Sequence, residues 1–355
     1  MEKRFSILIV GAVMIGLIFS LVAMALISQA APVEKQQGQN REVPKPIPAT
    51  NIEVVKKIFS EDVGKGKGKP SPPPKTGGAA TGTLGPLSTG NKYAVVIGIC
   101  DYPGGDYDIC WSDGDSINMY EALTQLYGYE DENIYLFRDT NPDMVNTPTD
   151  GPATFANIED AVLSKIKPNV KPEDEVVFFF SGHGGWLRDE NGNPIDAEPY
   201  DEADGKDEVI IVHDGKGIVG ILDDTLRLWF SGFGTTRIAF VFDTCLAGGQ
   251  NDVAADGRVV SMATGENQSA YVYSTGDSTT GELGEGVFSH YFVNEGMLQG
   301  KGDKYDHGYK INPETLGEDV VVEEAFDYAK ANIPPYLKIR QKPVISDGFP
   351  DDLLL

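Results

Sequence analysis

An α/β fold, with a mostly parallel central sheet and helices on both faces, is the architecture this sequence predicts. Three observations carry it. YAVVIGI (Tyr93–Ile99), EVVFFF (Glu175–Phe180) and RIAFVF (Arg237–Phe242) are nearly unbroken apolar runs, the pattern of strands covered on both faces. Segments of helical period separate them, and strand–helix alternation builds parallel sheets. Small and polar residues cluster just past those strands, at Cys100–Asp115, Ser181–Gly185 and Asp243–Gly249, on the rim where such sheets place their sites.

The elements follow in order. After the strand Tyr93–Ile99, DSINMYEALTQLYG (Asp115–Gly128) has helical spacing, with Asp115 as cap and Gly128 as stop. NIYLF (Asn133–Phe137) is strand-like, and TFANIEDAVLSKI (Thr154–Ile166) opens on a threonine cap and keeps an amphipathic period. Beyond the strand Glu175–Phe180 lies a long acidic stretch, Arg188 to Asp207. VIIV and GIVGIL predict a small hairpin, DDTLRLWF (Asp223–Phe230) a helix, and SAYVYST (Ser269–Thr275) a strand after Arg237–Phe242. Helices are expected over Val287–Gln299 and Asp319–Ala331, and KPVIS (Lys342–Ser346) as an edge strand.

Ahead of this domain, expected over 91–355, the chain changes character. Lys3 and Arg4 precede an uncharged apolar run, Phe5 to Ile27, followed by Ser28-Gln29-Ala30-Ala31; residues 1–31 read as a cleaved signal or a membrane anchor, with the rest exported. Residues 32–90, rich in Pro, Gly, Lys and Gln, read as a disordered linker or pro-segment. Within them NIEVVKKIF (Asn51–Phe59) is expected as a short helix, unstable alone, that docks on the main domain.

Charge narrows the partners. Residues 1–90 carry 11 Lys and Arg against 6 Asp and Glu, whereas 91–355 carry 18 against 48, a net of −30. Such a surface repels phosphate backbones and attracts cations and basic peptides, so no nucleic-acid partner is expected. Three cysteines are an odd number for an exported chain; Cys100 and Cys110 could close a short loop, which leaves Cys245 over.

FFFSGHGG (Phe178–Gly185) sets His183 just past a strand, and DTCLAGG (Asp243–Gly249) does the same for Cys245. A thiol is mostly protonated at neutral pH, and an imidazole that takes its proton, then returns one to a leaving amine, makes a dyad for attack on an acyl carbon. The N–H groups of Gly184 and Cys245 are the expected oxyanion donors. Other cysteine chemistry fits poorly. Asn251 stands where a phosphatase loop needs arginine, no second cysteine lies three residues away, and the histidines have no zinc spacing.

VVFFFSGHGG followed by AFVFDTCLAGG resembles the caspase-like cysteine peptidases, most of all the metacaspases and their bacterial and archaeal relatives. DGKDEVIIV and GILDDT, between the two, resemble metacaspase segments. The resemblance implies a three-layer α/β/α sandwich, a catalytic dyad of His183 and Cys245, and an acidic pocket selecting Arg or Lys before the cut bond. Asp243, Asp113 (three after Cys110) and Ser181 match that pocket, with Asp277 a further candidate acid. It also implies a regulatory calcium ion on Asp207, Asp223, Asp224 and Asp252, and no organic cofactor. Leu246-Ala247-Gly248 departs from the usual His-Ser-Gly, and the acidic stretch is longer than in the family. The expected protein is an exported, calcium-stimulated, self-processing endopeptidase for substrates with a basic residue at the cut. Lysines in 65–75, Arg188, Lys206 and Arg258 are candidate self-cleavage points. The alternatives are a legumain-like peptidase or transpeptidase, and an inactive caspase-fold calcium-binding scaffold.

Overall fold

The computed structural model describes residues 44–60, 78–109, 112–139, 149–273, 284–305 and 320–355. The expected signal or anchor, Cys110 and Asp277 lie outside the described residues. Within 45–355, one compact unit, the strands are β1 (Ile47–Pro48), β2 (Ile52–Val55), β3 (Ile58–Phe59), β4 (Lys92–Ile99), β5 (Ile134–Asp139), β6 (Glu175–Ser181), β7 (Gly184–Leu187), β8 (Glu208–His213), β9 (Ile218–Leu222), β10 (Ile238–Asp243), β11 (Arg258–Met262), β12 (Tyr271–Tyr273), β13 (Glu285–Gly286) and β14 (Val344–Asp347). The helices are α1 (Ser112–Gln125), α2 (Phe155–Asp160), α3 (Asp223–Phe230), α4 (Val287–Ser289) and α5 (Val322–Asn332). α2 and α4 run on as π-helical turns to Ile166 and Leu298.

The central sheet has the order β14-β11-β10-β6-β4-β5, parallel throughout except for the antiparallel edge strand β14. Alternate residues explain why its middle strands read as continuous apolar runs. Val95, Ile97, Phe178, Phe180, Phe240 and Phe242 face one core with α2 and α3; Ala94, Val96, Val177, Phe179, Ala239 and Val241 face a second with α1, α4 and α5. Each buried phenylalanine contributes about 2 kcal/mol of transfer free energy. This is the expected three-layer sandwich. The hairpin β8–β9 extends through β7 into a separate five-stranded sheet, β1-β9-β8-β7-β2.

The structure corrects several expectations. Asn51–Phe59 forms strands, not a helix: β-branched Ile52, Val54 and Val55 pair antiparallel with β7, and an available sheet edge outweighs weak helix propensity. The strand beside β10 is β11, and Tyr271–Tyr273 instead joins β13 and β3 in a three-stranded sheet. Part of the presumed disordered 32–90 is tied down by carboxylates: Ala79 and Ala80 donate to Asp327, and Thr81 and Gly82 to Asp352. α1 starts ahead of Asp115, which is therefore not its cap.

Candidate active site

β6 and β10 are in-register neighbours, with Ser181 opposite Asp243. His183 and Cys245 each follow two residues later, so the alternation of the strands sends both chains off the same rim side by side. Their loops touch. A Cβ on Gly184 would lie 2.2 Å from the Cys245 carbonyl oxygen, so only glycine allows the approach. Leu246, just after the cysteine, adopts φ 60° and ψ 22°, a left-handed turn that costs a non-glycine residue about 1 kcal/mol.

The imidazole is held on three sides. Its Nε2 lies 2.9 Å from the Tyr107 carbonyl, its ring stacks on Tyr102 (centroids 5.3 Å apart), and Nδ1 accepts the Lys57 N–H at 3.1 Å. Those partners assign the proton to Nε2 and the lone pair to Nδ1. The Tyr102 hydroxyl accepts from the His183 N–H and donates to the Ile211 carbonyl. Burial lowers His183 to about 3, helped by Lys57 and Lys56. Burial likewise raises Cys245 to about 11, and its sulfur accepts the Ala270 N–H at 3.1 Å. Both groups are thus neutral at pH 7. The Cys245 N–H makes no hydrogen bond among the described residues. Cys245 is a free thiol, whereas Cys100 is disulfide-bonded.

Beside this pair lies a fully buried acidic pocket. Asp243 Oδ2 accepts from the Ser289 N–H and hydroxyl at 2.8 and 2.7 Å. Ser181 donates to Asp115 Oδ2 at 2.5 Å, and the Gly286 N–H donates to Asp115 Oδ1 at 2.9 Å. Burial, then Asp243, pushes the Asp115 carboxyl well above its usual range. A Cβ on Gly286 would meet Asp243 Oδ2 at 2.2 Å, so that glycine lets both acids share the hole. The pocket is filled by Lys57: its Nζ is 3.0 Å from Asp243 Oδ1, 2.9 Å from Ser181 Oγ and 3.4 Å from Ser112 Oγ.

Of the expected pocket residues, Asp243 and Ser181 are here, but Asp113 is not. Its carboxylate pairs with buried Arg138 at 3.0 Å. Asp115 stands in the pocket instead. CWSDGD offers acids at both positions, and nothing in the sequence says which one α1 turns inward. Lys57 also escaped the sequence reading, since one lysine among β-branched residues carries no signal.

The four expected metal ligands fall into two neighbouring triplets of carboxylates, Glu202/Asp207/Asp223 and Asp201/Asp224/Asp252, with oxygens in each within 4.8 Å of one another. Asp201 and Glu202 had gone unmarked in the acidic stretch. Arg227 already bridges the second triplet, reaching Asp201 at 3.1 Å, Asp252 at 3.5 Å, and Asp224. The first triplet has no cation among the described residues, and Asp207 Oδ1 and Asp223 Oδ2 are buried without a hydrogen-bond partner. Burial and then the neighbouring acids raise Glu202 to about 8 and, over an opposing Ala197 N–H bond, Asp207 to about 6. Glu208, also buried and one oxygen short of a partner, rises to about 9.

A family model described as the metacaspase, peptidase C14 domain matches residues 92–254. Metacaspase-1 of Kluyveromyces lactis is 31% identical over 204 residues, covering 54% of this chain and 44% of that protein. Metacaspase-1 of Candida albicans is 31% identical over 232 residues, covering 61% and 48%. Metacaspase-1A of Aspergillus terreus is 33% identical over 198 residues, covering 53% and 45%. The chain therefore spans under half the length of these curated relatives. A crystal structure of a Geobacter sulfurreducens protein is similar at TM-score 0.47 and 17% identity, over 74% of this chain and 95% of that one.

Proposed function

Because residues 92–254 are a caspase-like domain of metacaspase type, we propose that the protein is a cysteine endopeptidase that cuts after lysine or arginine. One observation supports this most: a basic side chain already sits among Asp243, Ser181 and Ser112, next to Asp115, on the rim that bears His183 and Cys245. In the reaction, His183 Nδ1 takes the Cys245 thiol proton as sulfur attacks the carbonyl carbon. The Cys245 and Gly184 N–H groups stabilise the oxyanion, and the imidazolium protonates the leaving amine. Water then hydrolyses the thioester. Since Lys57 fills the pocket, the assay takes the chain carrying Lys57→Gln, whose incubation with fluorogenic peptides ending in Arg, Lys, Asn or Asp is expected to release dye from the first two only. Release from the Asn peptide alone would mean a legumain-like pocket; release from none, a scaffold.

Calcium and export belong to the same reading. Calcium takes six to eight oxygens, and the clustered carboxylates of Glu202, Asp207 and Asp223, with Asp207 Oδ1 and Asp223 Oδ2 buried and unpartnered, fit it. Bound there, it would neutralise that acidic cluster; Asp224 and Asp252 adjoin it but already hold Arg227. Calcium at a hundred times its dissociation constant is expected to raise Tm by about 5 °C. The shift should vanish in Asp223→Asn, and no shift in the unaltered chain would remove calcium from the account. Export through residues 1–31 would deliver the domain to compartments where calcium is plentiful.

A further inference from the structure

The segment that delivers Lys57 meets the site at three functional points. Its side chain fills the acidic pocket, and its N–H caps the His183 lone pair. The third point follows from the β2–β7 ladder. Arg188 N–H bonds to the Asn51 carbonyl at 2.8 Å, and hydrogen-bonded pairs recur every second residue, so Val55 opposite Gly184 is also such a pair. The Gly184 N–H, an oxyanion donor in the proposed mechanism, is therefore held by the Val55 carbonyl. Val55 also packs against the apolar cluster around Cys245. The chain then leaves along β12, where Ile58 and Ser60 donate to the Ala270 and Val272 carbonyls.

The register of this segment is wrong for cleavage. A peptide bond that is to be cut must offer its carbonyl to the oxyanion donors and its nitrogen to the imidazole, with the pocketed residue supplying that carbonyl. Here the carbonyl at Gly184 belongs to Val55, whereas the nitrogen at His183 and the pocketed side chain both belong to Lys57, two residues further on. No single bond meets all three conditions.

We propose that Val54–Ser60 is a built-in plug, bound out of cleavage register through the site, which keeps the enzyme latent until it is displaced. The proposal rests on the reading of this site as that of a peptidase selecting basic residues. It also gives the segment 61–77 a role. Lys65, Lys67, Lys69 and Lys75 lie between the plug and the point where Ala79 and Ala80 fasten to Asp327. A cut there would turn a tethered ligand, at an effective concentration on the order of millimolar, into one free to diffuse away.

The test compares the full chain with Lys57→Glu, whose carboxylate would face Asp243 and Asp115, and with Lys57→Arg, which keeps a cation in the pocket. Iodoacetamide labelling of Cys245, located by peptide mass mapping, is expected to accelerate at least about tenfold in the Glu variant and stay slow in the Arg variant. Turnover of the Lys peptide should rise in parallel. Lys57→Gln gives the same reading should the Glu variant not show a cooperative melt. Labelling at the unaltered rate in a folded Glu or Gln variant would overturn the plug. So would Cys245-dependent cutting at Lys56–Lys57 or Lys57–Ile58 in the native chain, which would make the segment a substrate. Faster labelling with no turnover in any variant would sustain the plug and remove the peptidase reading.

Discussion

In the unplugged Lys57→Gln chain, Cys245→Ala is expected to lower peptide hydrolysis by about 10⁴-fold or more, to the background rate, with the melting temperature nearly unchanged. The size follows from there being no second route. Cys245 is a free thiol at the rim, set on the strained turn at Leu246. The rate would fall comparably in His183→Ala, because the thiol, raised to about 11 by burial, needs a base to be deprotonated at neutral pH. The imidazole, held near 3 by burial, is neutral and has its lone pair on Nδ1, so it can take that proton once the Lys57 N–H has left. Removing a small, buried thiol leaves little void, so an unchanged melt would separate lost chemistry from lost folding. Residual turnover above a tenth of the original rate, in pure protein, would mean that another group is the nucleophile.

How much of this was legible follows from what each residue faces. Strands buried on both sides announce themselves as apolar runs, so β4, β6 and β10 could be read directly, and with them the rim that carries Ser181, His183, Asp243 and Cys245. β11 was not legible, because RVVSM is short and mixes a charge and a hydroxyl into its apolar residues. The pocket was half legible. Asp243 is fixed by its strand, but α1 begins at Ser112 and turns Asp115 toward the hole while Asp113 meets Arg138 across a gap of 24 intervening residues. Lys57 was out of reach, since its meaning comes from β2 finding the edge of β7, a pairing that no local pattern specifies.

Measured in the unplugged Lys57→Gln chain, Asp243→Asn is expected to cut kcat/KM for Lys and Arg peptides by about 10²- to 10³-fold, because an ammonium in a closed pocket loses its charged partner while still being stripped of water. Asparagine keeps an oxygen for Ser289, so the wall around α4 should hold its shape. Asp113→Asn makes the opposite forecast. It breaks a buried ion pair with Arg138 and should lower Tm while changing kcat/KM for these peptides by no more than about threefold. A specificity loss in Asp113→Asn, with none in Asp243→Asn, would move the pocket to the position the sequence first indicated. The Asp243 variant has a second signature that a merely weakened fold would not produce. The same carboxylate that would hold a substrate's lysine holds Lys57 now, so its loss should loosen the plug. With Lys57 in place, Cys245 in Asp243→Asn should therefore label faster than in the unaltered chain, even though the same substitution lowers turnover once Lys57 is replaced, and those two changes have opposite signs only if one acid serves both ligands.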